Sequence, residues 1–143
     1  MIQSDQIPHL YFPKKSVKYG IVLRPEKVAC FWFRRRDAAY SLYRRSTTVE
    51  EQRKWICVAA CLGLPAAQAE MARMYWRPPP PTNTVSPFSR DIVKAYVWGC
   101  IATRNGEHMQ DMTQLLTLGM SEEKLLEAKR LVKEWKPRPG ECN

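Results

Sequence analysis

"AYVWGCIATRNG", residues 95–106, and "QRKWICVAACLG", residues 52–63, decide the fold when they are aligned on their tryptophans. Trp55 is followed by Ala59 and Gly63, and Trp98 by Ala102 and Gly106, at the same offsets; the two copies stand 43 residues apart. Cys57 and Cys100 also fall at equivalent places. On an α-helix, positions Trp, Trp+4 and Trp+7 lie within an arc of about 60° and make one buried stripe. The small alanine lets a neighbouring helix approach. The glycine at Trp+8 can take the left-handed conformation that ends a helix. A period of this length predicts stacked helix pairs.

Working outward, Thr48 with Glu51 three residues later has the form of a capping box at the start of the first unit. Pro65 suits a first helical position, so 65–76 reads as the returning helix of that pair. Residues 107–119 return in the second pair. Ser121, followed by two acids, opens a closing helix over 121–135, whose apolar face carries Leu125, Ala128, Leu131, Val132 and Trp135 and which Pro137 follows. The four prolines 78–81 exclude a helix there and predict an extended connector over 77–88. At the front, 25–36 and 38–45 read as a truncated leading pair in 25–46. Ahead of it a basic arm over 1–24 is expected, either irregular or forming a short strand over 19–23, and a short tail over 138–143 follows behind.

The fold expected is therefore all-α: a short α/α superhelix, or solenoid, of antiparallel helix pairs within residues 25–137. The units are 25–46, 48–76, 89–119 and the closing helix.

The pattern resembles the Sel-one-like repeat family, relatives of the tetratricopeptide repeats. The resemblance is carried by Trp55, Ala59, Ala60 and Gly63 with Ala66, Ala69, Met71, Ala72 and Tyr75 in one unit. The other unit supplies Lys94-Ala95-Tyr96, Trp98, Ala102 and Gly106, and 120–137 is similar to the tail that closes many bacterial members. Departures are Gln52 in place of alanine, Arg73 in place of glycine and the proline insert. The resemblance implies a right-handed superhelix and a scaffold or adaptor without enzymatic activity.

A chain of 143 residues with 45% hydrophobic and 26% charged residues has the balance of one folded domain. Its longest apolar run, 55–62, is far short of the roughly 20 residues of a membrane-spanning helix. The first residues show no signal-peptide pattern. Five cysteines, an odd number, argue against a disulfide framework and for a reduced, cytoplasmic setting. The net charge of +9 is concentrated in residues 1–54, which hold 12 basic and 5 acidic residues. Such a front half favours an acidic partner.

Catalytic constellations are poor. His108 beside Glu107 reads as a solvated first-turn pair rather than an acid–base couple, and no phosphate-cradling loop or nucleophile elbow occurs. Cys57, Cys61 and Cys100 read as core filler, with a zinc site as the alternative. No catalytic residue, cofactor or metal is predicted. Opposite the tryptophan stripe lie Arg53, Lys54 and Cys57, then Tyr96, Cys100 and Arg104, with Ile56 and Gly99 at the edge. The predicted partner contacts are Arg53, Lys54, Tyr96 and Arg104, together with the basic front residues Arg34, Arg35, Arg36, Arg44 and Arg45. They would face an acidic protein surface or a larger assembly. The alternative is single-stranded nucleic acid on the Arg/aromatic segment 33–45.

Overall fold

A computed structural model describes residues 25–77 and 87–138, with the side chains of 25–32 left aside. The strand expected over 19–23, the basic arm, most of the proline connector, His9 and most of the tail lie outside the described residues. Six helices pack together, and among the described residues there is no strand: α1 (Pro25–Arg45), α2 (Val49–Cys61), α3 (Pro65–Trp76), α4 (Ile92–Arg104), α5 (Gln110–Leu118) and α6 (Glu122–Glu134). No described helix is long and apolar enough to cross a membrane.

The 43-residue period reappears as geometry. α2 and α4 start and stop at corresponding residues, and so do their caps. Thr48 Oγ1 accepts from the Glu51 amide at 3.3 Å, and Asp91 Oδ1 accepts from the Val93 and Lys94 amides at 3.0 Å. Each such cap is worth about 1 kcal/mol. Both helices end in the same pair of reversed hydrogen bonds. Gly63 donates to Ala60 and Leu64 to Ala59; Gly106 donates to Thr103 and Glu107 to Ala102. Both glycines hold positive φ, 95° and 108°, which a side chain would strain.

Directions follow from cross-helix bonds. Arg36 reaches the Gly63 carbonyl while Gln52 reaches that of Ser46, so α1 and α2 run antiparallel. Asn105 meets Gln68 at one end of α3 and α4, and the Asp91 amide meets the Tyr75 carbonyl at the other, so these two are antiparallel as well. The most extensive helix contacts are α3 with α4 and α1 with α2. α1 therefore stacks on α2 as α3 stacks on α4. α6 packs along α4 with its carboxyl end beside that of α4, because Arg104 donates to the carbonyls of Val132 and Trp135.

Three expectations are corrected. The leading pair over 25–46 is one helix of 21 residues; nothing between Pro25 and Arg45 breaks a helix, since the segment has no glycine and no internal proline. The second return helix begins at Gln110 rather than at 107, so His108 and Glu107 sit in the loop before it. The two tryptophans also have unlike surroundings. Trp98 is 9% exposed and meets Trp135 edge-on at 6.1 Å, whereas Trp55 is only half-buried, with the Lys54 amine 4.8 Å over its ring. Trp98 is covered by Trp135, the residue that follows α6.

The core is built from small residues where helices cross, Ala59, Ala60, Ala67, Ala72, Ala95 and Ala102, with Ile56, Met71 and Ile101 filling the space between. Gly99 belongs to this packing. A Cβ there would stand 2.7 Å from Thr113 Cγ2 and 3.2 Å from Met112 Cε, so α5 uses the missing side chain to approach α4.

Candidate functional site

The carboxyl ends of α2, α4 and α6 converge, and the chain leaving α6 crosses them. Trp135 lies against Trp98, Pro137 packs at Gly63, and the Arg138 amide donates to the Cys61 carbonyl at 3.0 Å. Arg104 holds the start of this crossing. Its guanidinium donates to Val132 O at 3.0 Å and Trp135 O at 3.3 Å, with its carbon 5.6 Å from the centre of the Trp135 ring. These carbonyls are the orphan acceptors at the end of α6, and a cation is the favoured group there.

Beneath the crossing lies a cleft of about 200 Å³ lined by Val93, Val97, Trp98, Ile101, Leu131 and Trp135, with Tyr75, Cys61, Lys94 and Arg138 also on its lining. Lys94 and Arg138 are exposed. The Lys94 amine stands 5.5 Å over the Tyr75 ring, and Tyr75 in turn stacks on buried Phe88 at 4.7 Å, which carries Arg53 at 5.4 Å. Rings and cations thus alternate from α2 across α3 to α4, each cation holding its charge at the water side of an aromatic face.

The predicted contact residues divide. Arg34, Arg44 and Arg45 are exposed on α1, as are Arg53 and Lys54 on α2; Arg35 is exposed and engaged within the structure. Arg36 is turned inward: Nη1 donates to Gly63 O at 3.1 Å, the guanidinium carbon lies 4.0 Å from the centre of the Phe33 ring, and burial lowers its proton affinity. Tyr96 is corrected outright. It is 8% exposed, and burial, with a hydrogen bond to Cys100, pushes its phenol up to about 12. Arg104 is committed to the end of α6. Tyr96 and Arg36 therefore do not present the surface expected of them, while Arg104 is exposed but engaged at the end of α6.

The cysteines divide as well. Cys100 is half-buried and its thiol is pushed above the ordinary value, chiefly by burial, which makes it a poor nucleophile. Cys57 is buried. Cys61 is disulfide-bonded, against the expectation that the cysteines form no disulfide framework. Among the described residues, no three His, Cys, Asp or Glu side chains gather as a metal site would require.

One polar element escaped the sequence reading. Gln68, fully buried, donates from Nε2 to the Ala60 carbonyl at 3.1 Å and accepts at Oε1 from Asn105 Nδ2 at 2.8 Å. It links the carboxyl ends of α2 and α4. The signal available was an uncharged amide on an otherwise apolar helix face, with an Asn seven residues after the second tryptophan.

No family model matches the chain, and neither a curated protein nor a solved structure matches it.

Proposed function

We propose that this chain is a non-catalytic adaptor, a short solenoid of the Sel-one-like kind that holds an acidic protein partner on its basic front. The observation that carries the proposal is the outer side of α1, where Arg34, Arg44 and Arg45 stand exposed, with Arg53 and Lys54 exposed on α2, which packs directly against it. Arginine offers forked donors to carboxylates, and clustered cations steer an acidic surface into place. Support for the solenoid comes from the shared caps, the shared glycine endings and the alternating stack of α1 on α2 and α3 on α4.

A cytoplasmic setting belongs to the same reading. It requires the Cys61 thiol to be reduced in the cell, which differential alkylation of freshly lysed material measures.

The test is affinity capture from lysate with and without nuclease. Recovery of a defined acidic protein that survives nuclease supports the adaptor. Loss of recovery on nuclease treatment would transfer the basic face to nucleic acid, and reproducible turnover by the purified chain would make it an enzyme.

A further inference from the structure

We infer that the cleft beneath the crossing segment is a peptide-anchor site: it receives one apolar side chain of an acidic peptide, with the carboxylates beside that residue meeting Lys94 and Arg138. The inference rests on the protein-binding reading above but uses a different surface.

Size comes first. At about 200 Å³ the cleft is smaller than the roughly 300–1,000 Å³ of sites that enclose a small molecule, so it has room for a single side chain. Its walls are apolar: Val97 and Ile101 from α4, Leu131 from α6, and the Trp98 and Trp135 rings. Charge then selects the neighbours of the anchor. Among the described residues no carboxylate lines the cleft, whereas Lys94 and Arg138 do and reach water, and Arg53 extends the same positive edge through Phe88 and Tyr75. A peptide carrying Asp or Glu on either side of a Leu or Phe satisfies both features. Specificity of this sort, a buried anchor with charged flanks, gives tight recognition over a small area.

The same features disfavour single-stranded nucleic acid. Base stacking needs successive open ring faces along a cationic track. Here Trp98 is buried and already meets Trp135 edge-on, and Tyr75 is buried and already in contact with Phe88 and the Lys94 amine.

Selection of displayed random peptides on the full chain tests this. The winning peptides are then synthesised and titrated while tryptophan emission is followed, since Trp98 and Trp135 line the site. The expected outcome is enrichment of sequences with one large apolar residue flanked by acids, binding one to one with a change in emission. Lys94→Glu, an exposed change that leaves the fold intact by circular dichroism, should weaken binding at least tenfold. Val97→Phe, which fills the cleft, should abolish it. Enrichment without an apolar anchor or without acids, failure to enrich any peptide, binding indifferent to Lys94→Glu, or an emission change produced by oligothymidylate and by no peptide would each overturn the inference. Lysate capture failing while anchored peptides are enriched would count against the adaptor alone. Capture succeeding while none is enriched would count against this site alone.

Discussion

Replacing Gly99 by alanine sets two effects of known sign against each other. Alanine is favoured over glycine in a helix interior by about 1 kcal/mol, so propensity alone predicts stabilisation. Packing predicts the reverse. The new methyl would stand 2.7 Å from Thr113 Cγ2, a distance real contacts do not reach, and 3.2 Å from Met112 Cε. Met112 can swing its terminal methyl aside. Thr113 cannot turn cheaply, because it is buried and its Oγ1 donates to the Gln110 carbonyl at 2.9 Å; rotating the methyl away breaks that bond. Overpacking of this kind costs about 1–3 kcal/mol. The expected net result is destabilisation of about 1 kcal/mol, measured as a shift of the urea midpoint at constant slope. Thr113→Ser removes only the offending methyl and keeps the hydroxyl. In that background Gly99→Ala should be neutral or stabilising. Stabilisation by Gly99→Ala alone would show that α5 does not approach α4 as described.

Other perturbations follow from the same contacts. Trp98→Ala should cost about 3–5 kcal/mol, as the removal of large buried aromatics does, and Trp55→Ala less, since that residue is partly exposed; paired denaturation curves check the order. Gln68→Ala should cost about 1–3 kcal/mol by leaving a buried polar link unmade, and Asn105→Ala in the same background should then add little. In alkali, burial raises Tyr43, Tyr75 and Tyr96 from 10 to about 12. The folded state therefore holds protons that the unfolded state releases. Their contribution is whole below pH 10 and is lost as pH rises toward 12, so the melting temperature should fall over that interval, and less steeply in Tyr96→Phe.

The helix ends were the most legible part of the fold, for a physical reason. A cap or a left-handed glycine is a local event, fixed by one residue and its immediate neighbours, so Thr48, Ser121, Gly63 and Gly106 could be read directly. Asp91, 43 residues after Thr48, is legible in the same way. What the rings touch is not local. Trp98 owes its burial to Trp135, 37 residues later, and Tyr96 owes its own to the way α4 is rotated in the stack. Of the stripe opposite the tryptophans, Cys57 and Tyr96 lie inside the core and Arg104 is bound to the end of α6. An arginine beside a solvated face and an arginine capping a distant helix look alike in sequence. The arginines at 34, 44 and 45 of α1 are different, because among the described residues they stand exposed.

The claim on which the rest depends is that the basic face of α1 binds an acidic protein. The most direct measurement is the affinity of the captured partner for the wild-type chain and for the triple variant Arg34→Glu, Arg44→Glu, Arg45→Glu, at equal melting temperature and after nuclease treatment. The account predicts a loss of at least thirtyfold, about 2 kcal/mol, from reversal of three contacting charges. An unchanged affinity in a folded variant would contradict it.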